Sequence, residues 1–138
     1  MNLVYVDTGA WIALLNGRER LHERAVAVYS SLADEGTRLI TSTDVIDETA
    51  TRLRYDISLA AALDFRDAVA RAEKSRLLRV LQVDASTRNK AFALWEKYPK
   101  VTLSLTDATS AVLARGLSIK TVFGFDADFR AMGFTLLS

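Results

Sequence analysis

The chain has 138 residues, 50% hydrophobic and 25% charged, which is the composition of one globular domain with a single core. It has no cysteine and one histidine, His22, which excludes disulfides and thiolate metal sites and argues against a histidine-rich zinc site. The net charge of +1 neither requires nor excludes a polyanionic partner. There is no apolar run of about eighteen residues and no basic leader before the first strand, so we expect no membrane span, no signal peptide and a cytoplasmic location.

Short apolar runs predict five strands. They cover residues 3–6, 39–41, 77–83, 121–123 and 134–137, the last as an edge strand. Between the runs lie patterns with helical spacing, clearest where Leu21, Ala25, Val28, Tyr29 and Leu32 form one stripe. Further helices are predicted for residues 10–15, 44–55, 59–73, 91–98 and 106–115.

This alternation predicts an α/β fold, because each parallel strand needs a crossover that is usually a helix. We therefore expect a mainly parallel sheet covered on both faces. Residues 43–76 hold two helices without a strand between them, which predicts a helical hairpin projecting from the sheet.

Two further expectations concern single residues. Gly116 is predicted to end the helix of residues 106–115. Trp11 and Trp95 fall on apolar faces and are predicted to lie in the core.

Acidic side chains follow several of the predicted strands. Asp7 comes directly after the first strand, and Asp126 follows the fourth after a Gly-Phe spacer. Glu48 lies in the first turns of the helix after the second strand, and Asp107 begins the helix after residues 103–105. Ligands of an open parallel sheet bind outside the carboxyl ends of its strands, so we expect these four acids to meet on one rim.

Each acid also has a purely structural interpretation. Asp7 would cap the helix that follows it, and Asp107 stands at capping-box spacing from Ser104. Glu48 precedes Arg52 by four residues, the spacing of a surface ion pair worth ~0.3–0.5 kcal/mol. Four independent structural roles do not require clustering, whereas a metal site does. Clustered carboxylates repel one another unless a cation neutralises them, and an oxygen-only ligand set suits Mg²⁺ or Mn²⁺.

Helical periodicity does not by itself aim Glu48 at this rim. Glu48 lies off the apolar stripe formed by Ile46, Ala50 and Leu53.

Arginine outnumbers lysine thirteen to five, which suits bidentate phosphate contacts. A codon bias towards high GC content gives the same excess, so both interpretations of the arginines stay open.

Four segments carry a resemblance to a known family. They are residues 4–11 (VYVDTGAW), 41–49 (TSTDVIDET), 103–108 (LSLTDA) and 123–129 (FGFDADF), the last followed by Gly133-Phe134. In their order and spacing the chain resembles PIN-domain ribonucleases over nearly its whole length, in particular the VapC-type toxins of toxin–antitoxin pairs. The resemblance implies one PIN-like domain over residues 1–138, with a three-layer fold around a five-stranded sheet.

The resemblance also implies functional residues and partners. The catalytic acids it implies are Asp7, Glu48, Asp107 and Asp126. The metal ligands are Asp7, Asp107 and Asp126, with Asp128 as an additional acid, and the metal is Mg²⁺ or Mn²⁺. It further implies a homodimer, an RNA substrate and a small antitoxin protein.

One position departs from the family pattern. The chain has Gly124 where the family usually has Thr, Ser or Asn, two residues before the last acid. A hydroxyl or amide there supports the acidic site by hydrogen bonding. Its loss predicts weaker metal binding by Asp126 and weak activity.

Our hypothesis is a metal-dependent endoribonuclease that hydrolyses phosphodiester bonds in RNA. Thr8 and Ser104 are expected to orient the ligands, and the candidates for contact with the RNA backbone are Arg18, Arg20, Arg52 and Arg54. We expect His22 to be a solvated or capping residue, and Phe125 either to pack or to line the site.

Two alternatives use the same acids. The first is a PIN-like RNA-binding or regulatory module with weak or no turnover, which Gly124 favours. The second is a receiver-type phosphoacceptor domain, which normally has paired acids after the first strand. Residues 2–8 contain Asp7 alone, which argues against a receiver domain.

Overall fold

The computed structural model describes residues 2–138, and its centre is a five-stranded parallel sheet. The strands are β1 (Leu3–Val6), β2 (Arg38–Ser42), β3 (Leu78–Leu81), β4 (Thr121–Phe123) and β5 (Thr135–Leu137). They lie in the order β3-β2-β1-β4-β5, and all four pairings are parallel. The predicted α/β class, the parallel sheet and the final edge strand are therefore confirmed.

Strand β3 is shorter than the predicted run of residues 77–83. Its partner β2 ends at Ser42, which pairs with Leu81. The Ser42 hydroxyl then accepts a hydrogen bond from the backbone N–H of Val45 and caps the next helix. Beyond Leu81 there is no strand left to pair with, and the N–H of Val83 donates to the hydroxyl of Thr43 instead.

Seven helices connect the strands within residues 2–138. They are α1 (Thr8–Leu15), α2 (His22–Asp34), α3 (Thr43–Asp56), α4 (Leu59–Lys74), α5 (Ala85–Lys97), α6 (Leu105–Gly116) and α7 (Asp128–Ala131). Helix α5 starts six residues before the predicted range because the Asp84 carboxylate caps it, accepting from the N–H of Thr87 at 2.8 Å. That hydrogen bond lowers the pKa of Asp84. In this part of the chain no helix combines the length and apolar character of a membrane-crossing segment.

Gly116 does not provide the predicted stop, since it is the last residue of α6. The left-handed residue is Ser118, with a φ of 56°. The reversal at Ser118 lets the N–H of Ile119 reach back to the carbonyl of Ala114 at 2.8 Å, which closes the helix without a glycine.

The two tryptophans occupy different environments. Trp11 is buried, as predicted, and meets Phe65 of α4 edge to face at 5.8 Å. Trp95 is 39% exposed, so its predicted place in the core is wrong. The core side of α5 is filled by Ala91 and Leu94, and Trp95 packs edge to face on the equally exposed Phe92.

Helices α3 and α4 follow one another without an intervening strand. The inward side of α3 carries Leu53 and that of α4 carries Phe65, both almost completely buried. The contact between Phe65 and Trp11 ties α4 to α1. Because β2 ends at Ser42 and α3 begins at the next residue, the N-terminal turns of α3 lie at the carboxyl end of the sheet.

The strand order places a topological switch between β1 and β4. Connections from β1 build the sheet outward to β2 and β3, whereas the chain later returns beside β1 to form β4 and then β5. Val6 pairs with Phe123, and the N–H of Asp7 donates to the carbonyl of Phe123 at 3.0 Å. The carboxyl ends of these strands therefore flank the crevice where such folds bind ligands.

Candidate active site

A pocket of about 430 Å³ opens at this switch point. All four predicted catalytic acids line it. The lining residues are Asp7, Thr8, Gly9, Ile12, Glu19, Leu21, Glu48, Arg52, Ser104, Asp107, Phe125 and Asp126. The tertiary structure thus brings together acids that are up to 119 residues apart in the sequence, from Asp7 to Asp126.

Asp7 is the most deeply buried of these acids, with 5% of its surface exposed. It occupies the N-cap position of α1, yet its side chain makes no capping hydrogen bond. Its Oδ1 has no hydrogen-bond partner within residues 2–138. Burial, followed by the negative charge of Asp107, raises the pKa of Asp7 to about 7. A role as a helix cap therefore does not account for this carboxylate.

Asp107 combines a structural role with a place in the pocket. Its Oδ2 accepts from the N–H of Ser104 at 3.1 Å, and the Ser104 hydroxyl accepts from the N–H of Asp107 at 3.0 Å. The capping box is therefore present, and it fixes the direction of the carboxylate. Burial, opposed by the hydrogen bond from Ser104 and reinforced by the charge of Asp126, raises the pKa of Asp107 to about 6.

Asp107, Asp126 and Asp128 form the tightest acidic group. One carboxylate oxygen from each lies within 4.8 Å of the other two. Asp126 Oδ1 also accepts from the N–H of Asp128 at 2.9 Å, which fixes the turn into α7. Burial and the charge of Asp126 raise the pKa of Asp128. Asp7 lies outside this trio and lines the pocket together with Asp107 and Asp126, whereas Asp128 is not among the lining residues.

Glu48 reaches the pocket although the predicted stripe pointed elsewhere. The buried side of α3 consists of Val45, Thr49 and Leu53, and the half-buried Glu48 lies beside it. Its charge contributes to the raised pKa values of both Asp7 and Asp107. The structural alternative for Glu48, an ion pair with Arg52, is not formed, because the salt bridge within 4 Å in residues 2–138 joins Arg66 and Asp67.

The other predicted site residues divide into two groups. Thr8, Ser104 and Arg52 line the pocket. The Thr8 hydroxyl has no partner within residues 2–138, so it does not orient a ligand through a hydrogen bond in this state. Arg18, Arg20 and Arg54 are exposed and do not line the pocket.

Gly124 was expected to lie next to Asp126, but its neighbour in the structure is Asp7. A Cβ at position 124 would stand 3.2 Å from Asp7 Cβ and 3.6 Å from Asp7 Oδ2. A hydroxyl or amide at this position would therefore reach the buried carboxylate of Asp7. The oxygen that such a side chain would approach is Oδ2, whereas the oxygen without a partner is Oδ1.

Glu19 was not predicted to line the pocket, whereas Phe125 was predicted either to pack or to line the site, and His22 was predicted to be solvated or to cap a helix. Glu19 comes from the turn between α1 and α2 and adds a fifth acid to the lining. Phe125 lines the pocket, and Arg24 of α2 lies over its ring at 5.7 Å from the centroid. His22 is half-buried, and its Nδ1 lies 2.7 Å from the carbonyl of Ala13, one of the last four carbonyls of α1, so its side chain caps the end of α1 and links α2 to it. No local sequence pattern marks these contacts.

The residues present fit a divalent metal ion with oxygen ligands. The donors are carboxylates, three of which converge within 4.8 Å, and a fourth offers a buried oxygen without a partner. Such a set of donors suits Mg²⁺ or Mn²⁺. The raised pKa values express the repulsion and desolvation that a cation in the pocket would relieve.

A doubly wound parallel sheet with a carboxylate pocket at its switch point defines a class of acid-site α/β proteins. Residues 4–135 match the PIN domain family, and the chain belongs to that family. It is 31% identical over 132 residues to the "23S rRNA-specific endonuclease VapC20" of Mycobacterium tuberculosis, covering 96% of this chain and 95% of the relative.

Solved structures give the same result. The crystal structure of M. tuberculosis VapC20, described as a sarcin–ricin loop cleaving toxin, matches with a TM-score of 0.84 at 30% identity and covers 96% of both chains. VapBC2 from Rickettsia felis, solved with a DNA fragment from its promoter, matches with a TM-score of 0.71 at 14% identity over 97% of this chain and 96% of the other. The second likeness concerns the fold alone. The predicted PIN-like fold and VapC-type relationship are confirmed, and these relatives bear out the prediction of an endoribonuclease of the toxin type.

Proposed function

We propose that this protein is a Mg²⁺- or Mn²⁺-dependent endoribonuclease whose active site is the carboxylate pocket. The observation that carries the proposal is the convergence of Asp107, Asp126 and Asp128 beside the buried, unpartnered oxygen of Asp7. Carboxylates with raised pKa values in a crevice at strand ends are typical of catalytic and ligand-binding sites. If these carboxylates had only a structural role, we would expect each one to have a hydrogen-bonding or ionic partner or to be exposed to solvent.

Each side chain has a distinct task in this proposal. Asp7, Asp107, Asp126 and Asp128 would hold the metal, and Ser104 keeps the Asp107 carboxylate in place through the capping box. When bound, the ion supplies activation of the attacking water and neutralises charge at the scissile phosphate. Glu48 lies close enough for its charge to act on Asp7 and Asp107, and it would bind waters of a metal ion held there. Arg52, on the pocket wall, contributes a positive charge for the RNA backbone.

For the substrate we propose ribosomal RNA of the large subunit, cut in the cytoplasm. The basis is the 31% identity over nearly the full chain with a relative named for 23S rRNA cleavage. A hairpin carrying the sarcin–ricin loop, which the matching VapC20 structure is described as cleaving, is the first RNA to test.

The decisive variant is Asp107→Asn. The asparagine side-chain oxygen still accepts from the N–H of Ser104, so the capping box and the fold are expected to survive while one negative ligand is lost. We expect Mg²⁺-dependent cleavage of the hairpin to fall by about 100-fold or more. Asp84→Asn is the matched control, because Asp84 also caps a helix but lies outside the pocket. Full activity of Asp107→Asn would overturn the proposal.

The second candidate function is an RNA-binding or regulatory module without turnover. Gly124 favours it, since no side chain at this position supports Asp7. Calorimetry with Mg²⁺ and Mn²⁺ separates the two functions. We expect a nuclease to bind Mg²⁺ or Mn²⁺ and the Asp107→Asn variant to bind it more weakly. We expect an inert module to bind neither ion.

We also propose an antitoxin partner that binds an apolar groove near the amino ends of β2 and β3. An apolar cavity of about 260 Å³ is lined by Trp11, Leu14, Leu15, Tyr29, Leu39, Ala68, Ala72, Leu77 and Leu78. It is formed by α1, α2 and α4 with strands β2 and β3, and a helix with apolar anchors at i, i+3 and i+4 fits such a groove. Structural neighbours titled VapBC2 and FitAcB support a protein partner of this kind. Co-expression with a small protein encoded nearby is expected to relieve toxicity, and Leu14→Glu is expected to abolish that relief.

For the predicted homodimer we propose the exposed aromatic pair on α5 as the contact. Phe92 is 45% and Trp95 is 39% exposed, and the two rings pack edge to face at 5.4 Å. Aromatic side chains left at a surface are enriched at interfaces. Sedimentation of Trp95→Lys should give a monomer if this surface joins the two copies, and an unchanged dimer would assign the contact elsewhere.

A further inference from the structure

Phe125 is the one aromatic side chain on the wall of the carboxylate pocket, within residues 2–138. It directly precedes Asp126 and is half-buried, whereas Phe123 on β4 is fully buried. The rings of Phe123 and Phe125 form a T-shaped pair, with 6.4 Å between their centroids. Phe123 thus belongs to the core and contacts Phe125, while the half-buried Phe125 lines the pocket.

Arg24 holds the same ring from the side of α2. Its guanidinium carbon lies 5.7 Å from the Phe125 centroid, within the range of a cation–π contact. Arg24 is exposed and has no carboxylate within 4 Å among the described residues, so its orientation over the ring is not imposed by an ion pair. The adjacent Ala25 is completely buried, and His22 is bonded to the carbonyl of Ala13, which fixes this turn of α2 relative to α1.

The ring is therefore supported at two places and lies next to the acids that would hold the metal. In single-stranded and loop RNA, unstacked bases bind to aromatic side chains, and every base offers a face for this. We propose that Phe125 is a stacking platform for a nucleobase next to the scissile phosphate, and that Arg24 is the positioning residue that holds this platform. This inference rests on the proposed RNA-cleaving function and names the way in which the site holds its substrate.

The charge distribution agrees with such a contact. The pocket wall carries five acids, which repel RNA, and Arg52 is the single cation in the lining described here. A stacked base adds attraction that does not depend on net charge. The exposed Arg24 guanidinium over the Phe125 ring adds a second positive group next to the pocket lining.

The test measures binding of a hairpin RNA that carries the sarcin–ricin loop sequence, by fluorescence anisotropy with Mg²⁺. All variants are made in the Asp107→Asn background, so that cleavage does not interfere. Loss of one stacked base corresponds to about 5–150-fold in affinity. We expect Phe125→Leu to weaken binding by about tenfold and Phe125→Tyr to stay within about twofold of the parent.

Arg24 is tested through its dependence on Phe125. We expect Arg24→Ala to weaken binding about threefold to tenfold, Arg24→Lys to restore part of it, and Arg24→Ala to add nothing once Phe125→Leu is present. Arg38→Ala is the matched control, because Arg38 is equally exposed but begins β2 at the opposite end of the sheet. A thermal melt verifies folding, and if Phe125→Leu fails to fold, the exposed Arg24→Ala and Arg24→Lys still test the contact.

The RNA supplies an independent readout. Abasic sites placed one at a time through the loop are expected to reveal one position whose loss costs the parent about tenfold and costs Phe125→Leu nothing. The inference is overturned if every abasic site costs the same affinity or if the hairpin does not bind. It is also overturned if Phe125→Leu has no effect or if the effects of the Phe125 and Arg24 variants are additive. If the wild-type protein does not cleave the hairpin yet shows this coupling, the nuclease proposal fails and the platform stands. If the wild-type protein cleaves the hairpin but no single abasic site affects binding more than the others, the nuclease proposal stands and the platform fails.

Discussion

Two neighbouring polar regions of this protein are built in opposite ways. In the buried polar layer, formed by Tyr5, Ser110, Asp44 and Thr109, the Tyr5 hydroxyl donates to Ser110 at 2.8 Å and the Thr109 hydroxyl donates to Asp44 at 2.9 Å. In the carboxylate pocket, by contrast, Asp7 Oδ1 is buried and unpartnered within residues 2–138. Both regions lie between β1, α3 and α6, and Tyr5 and Asp7 are two residues apart on the same chain segment.

The difference separates stability from function. A paired buried polar group stabilises the fold modestly, whereas an unpaired one costs free energy. Burial raises the pKa of Tyr5, which keeps its hydroxyl neutral and able to donate. Burial also raises the pKa of Asp7, but a carboxylate has no proton to donate once ionised. The cost at Asp7 is expected where a ligand completes the site.

The largest expected effect is that of Asp7→Asn, which removes the charge from the pocket. We expect cleavage to fall by about 100-fold or more, as for the other ligands. In metal-free buffer at pH 8 we expect the free energy of unfolding to rise by about 1 kcal/mol, since the buried charge and its repulsion from Asp107 are gone. Thermal melts with and without Mg²⁺ measure both states. A less stable Asp7→Asn protein under metal-free conditions would show that the carboxylate is a structural group.

Next in size is the dependence of stability on pH without metal. The pKa of Asp7 is raised to about 7 and that of Asp107 to about 6, so the folded state binds more protons than the unfolded state between about pH 4 and 7. Stability should therefore fall as the pH rises through this window, and the melting temperature should drop by roughly 5–10 °C between pH 5 and pH 8. Added Mg²⁺ should reverse the drop at pH 8. A melting temperature that rises over this range in metal-free buffer contradicts the picture.

The polar layer should respond in the opposite way. Tyr5→Phe removes the donor to Ser110 and leaves that buried hydroxyl unpaired, so we expect a loss of about 1–2 kcal/mol in the free energy of unfolding. Cleavage below the melting temperature should stay within about twofold of wild type, because Tyr5 does not line the pocket. Urea denaturation and a cleavage assay on the same sample test this. A loss of activity at unchanged stability would place Tyr5 in the site.

The smallest effect is expected from giving Asp7 a partner. In Gly124→Ser the new side chain starts 3.2 Å from Asp7 Cβ, so its hydroxyl comes within reach of the carboxylate after a small shift. A hydrogen bond to the ionised form lowers the pKa of Asp7, which should move the acid limb of the pH–rate profile down by about 0.5–1 pH unit. Gly124→Ala carries the same Cβ without the hydroxyl and should leave the limb in place. Equal profiles for both variants would show that no hydrogen bond forms.

Much of the fold was predictable because its signals are local. Apolar runs such as residues 3–6 and 121–123 predicted the strands, and the stripe containing Ala25 and Leu32 predicted α2. Trp95 was misplaced because periodicity identifies an apolar face but not its width, and Ala91 with Leu94 already fills the contact. The end of β3 could not be predicted from its own residues, because it is set by the end of β2.

The candidate site was predictable in its acids but not in its contacts. Asp7, Asp107 and Asp126 follow strands or begin helices, which indicates the rim without giving distances. Glu48 came from the family resemblance, since its helix position gave no direction. Arg24 on Phe125 and Gly124 on Asp7 join segments about a hundred residues apart, and no local pattern encodes them.

The sequence by itself determined which chemistry is available: oxygen ligands without cysteine, acids at the ends of apolar runs, and alternating helices and strands. The tertiary structure decided the order β3-β2-β1-β4-β5, which sets β1 beside β4 and so brings Asp7 and Asp126 to one pocket. It also decided which acids are buried and which oxygens lack partners. Burial and charge repulsion depend on distances through space, so they arise only when the chain has folded.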